Sequence, residues 1–239
     1  MSSDLLDFAI EAHGGMIRWR QWNEVAADVS VGGYLWQLKS RPGVLARTSF
    51  TASLQEQRAD ILLVDQGKRI TFVPNNVTIL AEDGHLIEGR DNPRESFDGQ
   101  ALETPWDDVH VGYFDGYALW QYLTAPFLYS YPGFETQEEE PWHEDGETWR
   151  VLRVTFPDFM AAHTRVQRAY FGPDGLLRRH QYTVDVLGGA PGVNYAEKYE
   201  QVNGIMVPMQ RRVYAYDVGG QKIAEPVLVT IDIRNLRFM

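Results

Sequence analysis

Cysteine is absent from this sequence of 239 residues. A chain without cysteine cannot form disulfide bonds, and it cannot bind a metal through thiolates. The fold must therefore be stabilised by its hydrophobic core. A chain of this length can bury such a core within one large domain, and all-β domains often reach this size.

Positive charge is scarce. The sequence has 22 Lys and Arg against 33 Asp and Glu, which gives a formal net charge of −11. Nucleic acids and anionic membrane surfaces are bound through clustered lysine and arginine. We therefore expect neither nucleic acid nor an anionic membrane surface as a partner.

Long apolar runs are also lacking. No uninterrupted apolar stretch approaches the length needed to span a bilayer, so we expect no membrane insertion. The first residues, 1–7, contain neither a basic segment nor an apolar segment of the kind found in signal peptides. The sequence-based expectation is a cytoplasmic protein.

Familiar catalytic and cofactor motifs are missing. The sequence has no His-Glu-x-x-His, no Gly-x-Ser-x-Gly, no P-loop and no Gly-x-Gly-x-x-Gly after a strand. Its six histidines are widely scattered. The glycine-rich run 188–192 joins two predicted strands and precedes no helix, so it offers no helix dipole to a phosphate. We expect no metal and no cofactor.

Turn signals divide the C-terminal part of the chain into strands. Pro-Asp-Gly, Asn-Gly and Gly-Gly between runs rich in Val, Ile and Tyr are the strongest short-range signals of β-hairpins. They predict an antiparallel meander whose strands are 165–171, 176–187, 193–202, 205–218 and 227–236.

The N-terminal part predicts one helix followed by strands. Residues 3–22 have an apolar stripe at helical spacing, which Gly14 and Gly15 interrupt. The strands predicted after it are 24–39, 44–54, 58–65, 68–73, 77–81 and 85–90. The polar segment 91–103 predicts a surface loop.

A second helix is predicted in the middle of the chain, at 106–124, with Thr104 as its cap and Pro105 at its first position. Gly112 or Gly116 is expected to divide it. The acidic stretch 135–147 predicts a solvated connection, and the strand 149–156 follows it.

This order of elements predicts a mainly β (α+β) fold. We expect a single large curved antiparallel sheet, an open half-barrel, wrapped around the N-terminal helix and the central helical insertion. Nothing alternates as strand, helix and strand, so a parallel sheet is not expected. No repeat or linker divides the chain, and residues 1–239 are predicted to form one domain.

The same order resembles the LolA/LolB-like superfamily of bacterial lipoprotein carriers. The similarity covers the leading helix, the strands on both sides of the helical insertion, and the stretch Phe171-Gly172-Pro173-Asp174-Gly175-Leu176-Leu177. It implies a half-barrel that binds lipid in its apolar concavity. The same architecture occurs in VioE-like cytoplasmic enzymes, which hold a reactive intermediate in the concavity without metal or cofactor.

Alternation along the C-terminal strands indicates which side chains face the concavity. The apolar face of each strand predicts an inner set of polar and aromatic residues: His180, Tyr182, Tyr195, Glu197, Tyr199 and Arg211. One interpretation is a pocket with aromatic walls and an acid/base pair, for which His180 and Glu197 are catalytic candidates. The other is a structural cross-strand pair between Glu197 and Arg211.

Other candidates lie outside these strands. His163, flanked by small residues, could reach a cavity mouth as an acid or base, or lie on the surface. Asp115 lies among aromatic residues, either as a helix cap or as a carboxyl with a raised pKa. Tyr117 and Trp120 share the apolar stripe of the second helix and are candidate ligand contacts.

Three functions fit these observations. The first is a binding protein for an apolar or aromatic small molecule in the concave face. The second is a cofactor-independent enzyme of the cyclase or isomerase type, with His163 or His180 and a neighbouring Tyr or Glu as acid and base. The third is a structural module that binds through an exposed sheet edge. The sequence does not indicate the oligomeric state.

Overall fold

One antiparallel sheet of fourteen strands dominates the protein in the computed structural model, which describes residues 4–239. The strands are β1 (Glu24–Gly32), β2 (Thr48–Ser53), β3 (Ala59–Leu63), β4 (Lys68–Val73), β5 (Asn76–Ala81), β6 (Leu86–Asp91), β7 (Glu135–Glu144), β8 (Glu147–Thr155), β9 (Val166–Phe171), β10 (Leu177–Val184), β11 (Ala190–Val202), β12 (Ile205–Tyr216), β13 (Lys222–Ile223) and β14 (Val229–Phe238). The helices are α1 (Asp4–Ala12), α2 (Met16–Trp19), α3 (Tyr34–Leu38) and α4 (Asp108–Thr124).

The strand order is β6-β5-β4-β3-β2-β1-β14-β12-β11-β10-β9-β8-β7, and β13 pairs with β12. The first and last long strands therefore meet in the centre of the sheet. The terminal strands of this order are β6 and β7, and the sheet does not close. The predicted fold class is confirmed: a single curved antiparallel sheet forms an open half-barrel around helices.

Helix α4 lies inside the half-barrel. Every residue from Val109 to Thr124 is buried, so the helix is covered on all sides rather than along one stripe. Two glycines allow its close approach to β4. A Cβ at Gly112 would lie 2.5 Å from Cγ2 of Ile70, and one at Gly116 would lie 2.5 Å from Cγ of Phe72. These glycines do not divide the helix as predicted; they bring it against the sheet.

The main hydrophobic core fills the space between the inner face of the sheet and the helices. It joins α1 and α4 to side chains from both halves of the sheet, including Phe50, Phe72, Leu152 and Ile231. A second, smaller cluster lies apart from it; its buried members are Trp149, Val151, Tyr170, Val193 and Tyr195. Both faces of this part of the sheet are therefore apolar.

Most predicted strands are confirmed, including the whole C-terminal meander. The predicted N-terminal helix breaks at the two glycines, which have φ of 119° and 81°. Its predicted start at Ser3 lies outside the described residues.

Three predicted elements are wrong. The strand predicted over 24–39 ends at Gly32, and α3 begins after Gly33. Gly33 adopts φ 107°, and a Cβ there would lie 2.5 Å from the Leu228 carbonyl oxygen. The acidic stretch 135–147 is largely strand β7, whose backbone pairs with β8. The cap of α4 is Asp107, not Thr104.

The helices of the described part of the chain are too short or too polar to cross a membrane.

Candidate functional site

Charged side chains hold the N-terminus of α4 in position. The Asp107 carboxylate accepts a hydrogen bond from His110 N at 2.8 Å, and Arg90 lies 2.7 Å from the same carboxylate group. Asp108 forms ion pairs with Arg41 and with Lys68. Carboxylates at a helix N-terminus stabilise the exposed N–H groups and the positive end of the helix dipole. These contacts set the position of the helix from which the site is built.

A cavity of about 60 Å³ lies between α4, α3 and strands β1, β10, β11, β12 and β14. Its walls are almost entirely apolar, and the aliphatic and aromatic lining includes Val31, Leu35, Trp36, Phe114, Ala118, Leu119, Val184, Val213, Leu228, Val229 and Ile231. The partly exposed lining residues Leu187, Ala190, Pro191 and Leu228 mark where it approaches the surface. A volume of this size would hold about two water molecules.

Among residues 4–239, Asp115 is the only carboxylic acid that lines the cavity. Its side chain is buried, and its Oδ2 has no hydrogen-bond partner within the same range. Burial raises the pKa of Asp115 to about 8. The group is therefore protonated at neutral pH. Nε1 of Trp36, which also lines the cavity, has no partner among the described residues either.

A hydrogen-bonded cluster of His163, Tyr117, Tyr122 and Tyr182 adjoins the cavity, and all of its members except Tyr117 line it. The Tyr122 hydroxyl lies 2.8 Å from His163 Nε2 and 2.6 Å from the Tyr182 hydroxyl. The Tyr117 hydroxyl lies 3.1 Å from His163 Nδ1, and the Tyr182 ring stacks on the imidazole at 4.1 Å. Burial lowers the pKa of His163 well below its usual value, so the ring is neutral.

Behind this cluster lies a second set of buried polar groups. Gln121 Nε2 donates to Gln167 Oε1 at 2.7 Å and lies 3.2 Å from Nε2 of His180. Burial and the charge of Arg211 lower the pKa of His180 to about 3. Arg211 Nη2 donates to the backbone carbonyl of Tyr122 at 2.9 Å. The interior beside the cavity thus contains the neutral imidazoles of His163 and His180 and the guanidinium of Arg211.

The structure brings together part of the predicted site. Asp115, His163 and Tyr182 line the cavity. Tyr117, Arg211 and His180 are buried beside it without lining it. Tyr199 does not line the cavity either; its ring lies 5.9 Å from that of His13, the residue that follows α1. The roles assigned to these residues stay predictions.

Trp120 is buried but turned away from the cavity. Its Nε1 donates to the carbonyls of Ser53 and Glu56, at 2.8 Å and 3.0 Å. It anchors α4 to the loop between β2 and β3. The geometry gives it a structural role rather than the predicted ligand contact.

The predicted inner face of β11 is wrong over its first part. Tyr195 belongs to the second aromatic cluster, and Glu197 is exposed. The inner residues there are Asn194 and Ala196, both buried. Lys198, with φ 52°, interrupts the alternation, so Tyr199 faces the main core although Tyr195 does not. Neither Tyr195 nor Glu197 can contact a ligand in the cavity from these positions.

Tyr122, Gln121, Gln167 and Asn194 were not predicted as site residues. Tyr122 and Gln121 lie on α4, and the pattern of a helix buried on all sides does not show which side chains face a site. The inner position of Asn194 follows from its cross-strand pairing with His180. Assigning the correct inner face to β11 would have identified Asn194 as a residue of the site.

A second concavity, about 550 Å³ in volume, opens at the surface beside the segment that contains His163. Arg94 lines it, donates a hydrogen bond to the Ala162 carbonyl at 3.0 Å and forms an ion pair with Asp185 at 3.0 Å. Its lining is mixed, with several charged side chains, and the His163 ring faces the internal cavity instead.

Within residues 4–239, no three histidine or acidic side chains are grouped so that they could hold a metal ion.

Neither a family model nor a curated protein sequence matches the chain. Solved structures do match it. A LolA superfamily protein from Nitrosomonas europaea has a TM-score of 0.55 at 12% identity, with 97% of this chain and 92% of that chain covered. A putative outer membrane lipoprotein-sorting protein domain from Vibrio parahaemolyticus has a TM-score of 0.55 at 9% identity, with 98% and 92% covered. The protein therefore has the LolA-like fold.

Proposed function

We propose that the protein binds an apolar small molecule, or the apolar chain of an amphiphile, between α4 and strands β10, β11, β12 and β14. The observation that most supports this is a cavity with apolar walls that contains polar atoms unpaired within residues 4–239. Asp115 Oδ2 and Trp36 Nε1 are both buried there. Buried polar atoms are normally hydrogen-bonded, and an unpaired one is costly. A bound ligand with a polar group would supply the missing partner.

The size of the cavity requires movement on binding. Drug-sized ligands occupy sites of roughly 300–1,000 Å³, whereas this cavity measures about 60 Å³. The lining residues nearest the surface are Leu187, Ala190, Pro191 and Leu228. We expect these to move away from α4 when a ligand enters. The name of the sorting protein domain from Vibrio parahaemolyticus is consistent with a carrier role.

Binding can be tested with the neutral fluorescent probe N-phenyl-1-naphthylamine. The protein should give a saturable fluorescence increase with one site per chain. Ala118→Leu adds three carbon atoms to the cavity wall and should weaken binding at least tenfold. It should lower the melting temperature by only a few degrees, because most of the added volume enters empty space. Ala101→Leu, the same change at an exposed position, is the control. Equal binding by all three proteins would refute the site.

The enzyme alternative has one observation in its favour. His163, Tyr122 and Tyr182 form a hydrogen-bonded group in the wall that also contains the high-pKa carboxyl of Asp115. Two groups of different acidity beside one cavity could exchange protons with a bound molecule. A ligand recovered unchanged after incubation would argue against it. If the ligand is converted, His163→Gln should abolish turnover while probe binding remains.

Location in the cytoplasm stays a sequence-based prediction, which fractionation of cells that express the protein would test.

A further inference from the structure

Arg211 is a fully buried cation for which the described residues provide no counter-ion. It lies on the inner face of β12 with a relative exposure of 1%. Its Nη2 donates to the Tyr122 carbonyl at 2.9 Å, and its Cζ lies 4.9 Å from the centre of the Tyr122 ring. Within residues 4–239, Nε and Nη1 have no hydrogen-bond partner, and no carboxylate forms an ion pair with the guanidinium. A guanidinium remains charged even when it is buried.

A second buried arginine shows how the same fold neutralises such a charge. The Arg179 side chain has no exposed surface, and its Nη1 lies 2.9 Å from Oε2 of Glu144. The Cζ atom of Arg179 lies 4.7 Å from the ring centres of Trp142 and of Tyr170. Burying an unpaired charge costs several kcal/mol, whereas a paired one is largely compensated. Arg211 differs from Arg179 in having no such carboxylate in the described part of the chain.

The position of Arg211 connects it to the cavity. On β12 it is two residues from Val213, and its cross-strand partner on β14 is Ile231. Val213, Ile231 and Tyr122 all line the cavity. The guanidinium is therefore placed next to the part of the cavity wall that Val213, Ile231 and Tyr122 form. The nearest titratable neighbours on other elements, His13, His180 and the tyrosines Tyr122, Tyr129, Tyr182 and Tyr199, provide no negative charge near neutral pH.

We infer that Arg211 binds the anionic group of the ligand, and that the ligand is an amphiphile with a carboxylate at one end and an apolar chain. This rests on the proposed function. The chain occupies the widened cavity and extends toward Leu187 and Leu228, while the carboxylate accepts hydrogen bonds from the free Nε and Nη1. The carboxylate supplies the charge that the described residues do not provide, and a charge-assisted hydrogen bond is about twice as strong as a neutral one.

The test compares two ligands with the same number of carbon atoms, one with a charged carboxylate and one with a neutral hydroxyl group. Hexadecanoate and hexadecan-1-ol each compete with N-phenyl-1-naphthylamine, below the concentration at which either aggregates. The natural protein should bind the acid roughly 10- to 100-fold more tightly, the ratio expected for hydrogen bonds to a charged group. Arg211→Met should bind both equally, with its affinity for the alcohol unchanged. Arg212→Met, which changes the neighbouring arginine paired with Asp232, should keep the preference.

The outcomes separate the two proposals. Equal affinity of the natural protein for acid and alcohol would overturn the role of Arg211 and leave the binding function intact. Failure to bind either ligand or the probe would overturn both. A merely structural Arg211 would show a lower melting temperature and loss of both ligands in Arg211→Met. We expect the melting temperature of that variant to be unchanged or higher, and Arg211→Lys to keep part of the preference for the acid.

Discussion

The hydroxyl of Tyr122 lies 2.8 Å from Nε2 of His163, and this contact joins the C-terminal turn of α4 to the segment that precedes β9. The same hydroxyl lies 2.6 Å from that of Tyr182 on β10. A neutral imidazole has one N–H donor and one acceptor nitrogen. One of the tyrosines that flank His163 must therefore donate to it while the other accepts from it. The cluster has a fixed direction of hydrogen bonding and connects three separate parts of the fold.

Replacing Tyr122 by Phe should destabilise the protein more than replacing Tyr117 by Phe. Tyr122→Phe removes the partner of His163 Nε2 and that of the Tyr182 hydroxyl, whereas Tyr117→Phe removes only the partner of His163 Nδ1. A buried polar group left unpaired costs about 1–3 kcal/mol. Urea unfolding at pH 7 measures both variants. Equal losses would show that the Tyr122 hydroxyl does not bridge the two groups.

Asp115 should make the protein less stable as the pH rises toward 8. The ordinary pKa of an aspartate, 3.8, applies to the unfolded chain, and burial raises the pKa of Asp115 to about 8 in the folded protein. Between these values the folded state holds a proton that the unfolded state has lost, so the free energy of unfolding falls as pH increases. The slope for one group is about 1.4 kcal/mol per pH unit.

Asp115→Asn tests this directly. The amide cannot ionise, so the variant should not show this loss. From pH 6.5 to 8, its stability relative to the natural protein should rise by about 1–2 kcal/mol. The buried histidines His13 and His180 have lowered pKa values of about 4 and about 3. Their contribution to the free energy of unfolding is lost mainly below pH 6.5, outside the range of this comparison. Parallel pH profiles in urea unfolding would contradict a raised pKa at Asp115.

Much of the fold follows from local signals. The turns at Pro173-Asp174-Gly175, Asn203-Gly204 and Gly219-Gly220 lie where the sequence predicts them, because positive φ and tight turns demand these residues. The helix α3 is not predicted by such signals, because residues 34–38 continue an apparent strand-like alternation of side chains past Gly33. Only the close approach of the Leu228 backbone explains why the strand ends there.

The site was only partly predictable, for a physical reason. On β10 and β12 one face is clearly more polar, and alternation placed His180, Tyr182 and Arg211 on the inner face correctly. On β11 both faces are apolar, because Tyr195 packs in a second aromatic cluster with Trp149 and Tyr170. Polarity therefore cannot distinguish inside from outside on that strand. The unpaired state of Arg211 depends on long-range packing that no local pattern encodes.

Gly116→Ala should destabilise the protein by about 1–3 kcal/mol, the usual cost of overpacking a core. The new Cβ would lie 2.5 Å from Cγ and 2.7 Å from Cβ of Phe72, so α4 or the ring must shift. Alanine favours helix by about 1 kcal/mol over glycine, which offsets part of this cost. Gly89→Ala on β6 is the control, because its nearest neighbour is the Val77 carbonyl oxygen at 3.9 Å. A stabilised Gly116→Ala protein would show that α4 does not pack closely on β4.

Glu144→Gln should be strongly destabilising, because it leaves Arg179 buried without its counter-charge. Glu144 Oε2 lies 2.9 Å from Arg179 Nη1 and accepts a hydrogen bond from Trp142 Nε1 at 2.7 Å, and its Oε1 accepts one from Tyr195. Removing one partner of a buried ion pair costs about 3–5 kcal/mol. Glu138→Gln, which breaks a more exposed pair with Arg150, should cost less than about 1 kcal/mol.

A double variant of Glu144 and Arg179 distinguishes the effect of an unpaired charge from the effect of the lost hydrogen bonds. Arg179→Met combined with Glu144→Gln removes both charges, so no unpaired ion remains. It should be more stable than Glu144→Gln alone, as judged by the free energy of urea unfolding. Additive losses would mean that Glu144 acts through its hydrogen bonds to Trp142 and Tyr195 rather than through Arg179. A non-additive result would show that Glu144, at the end of the edge strand β7, stabilises the protein through its interaction with Arg179.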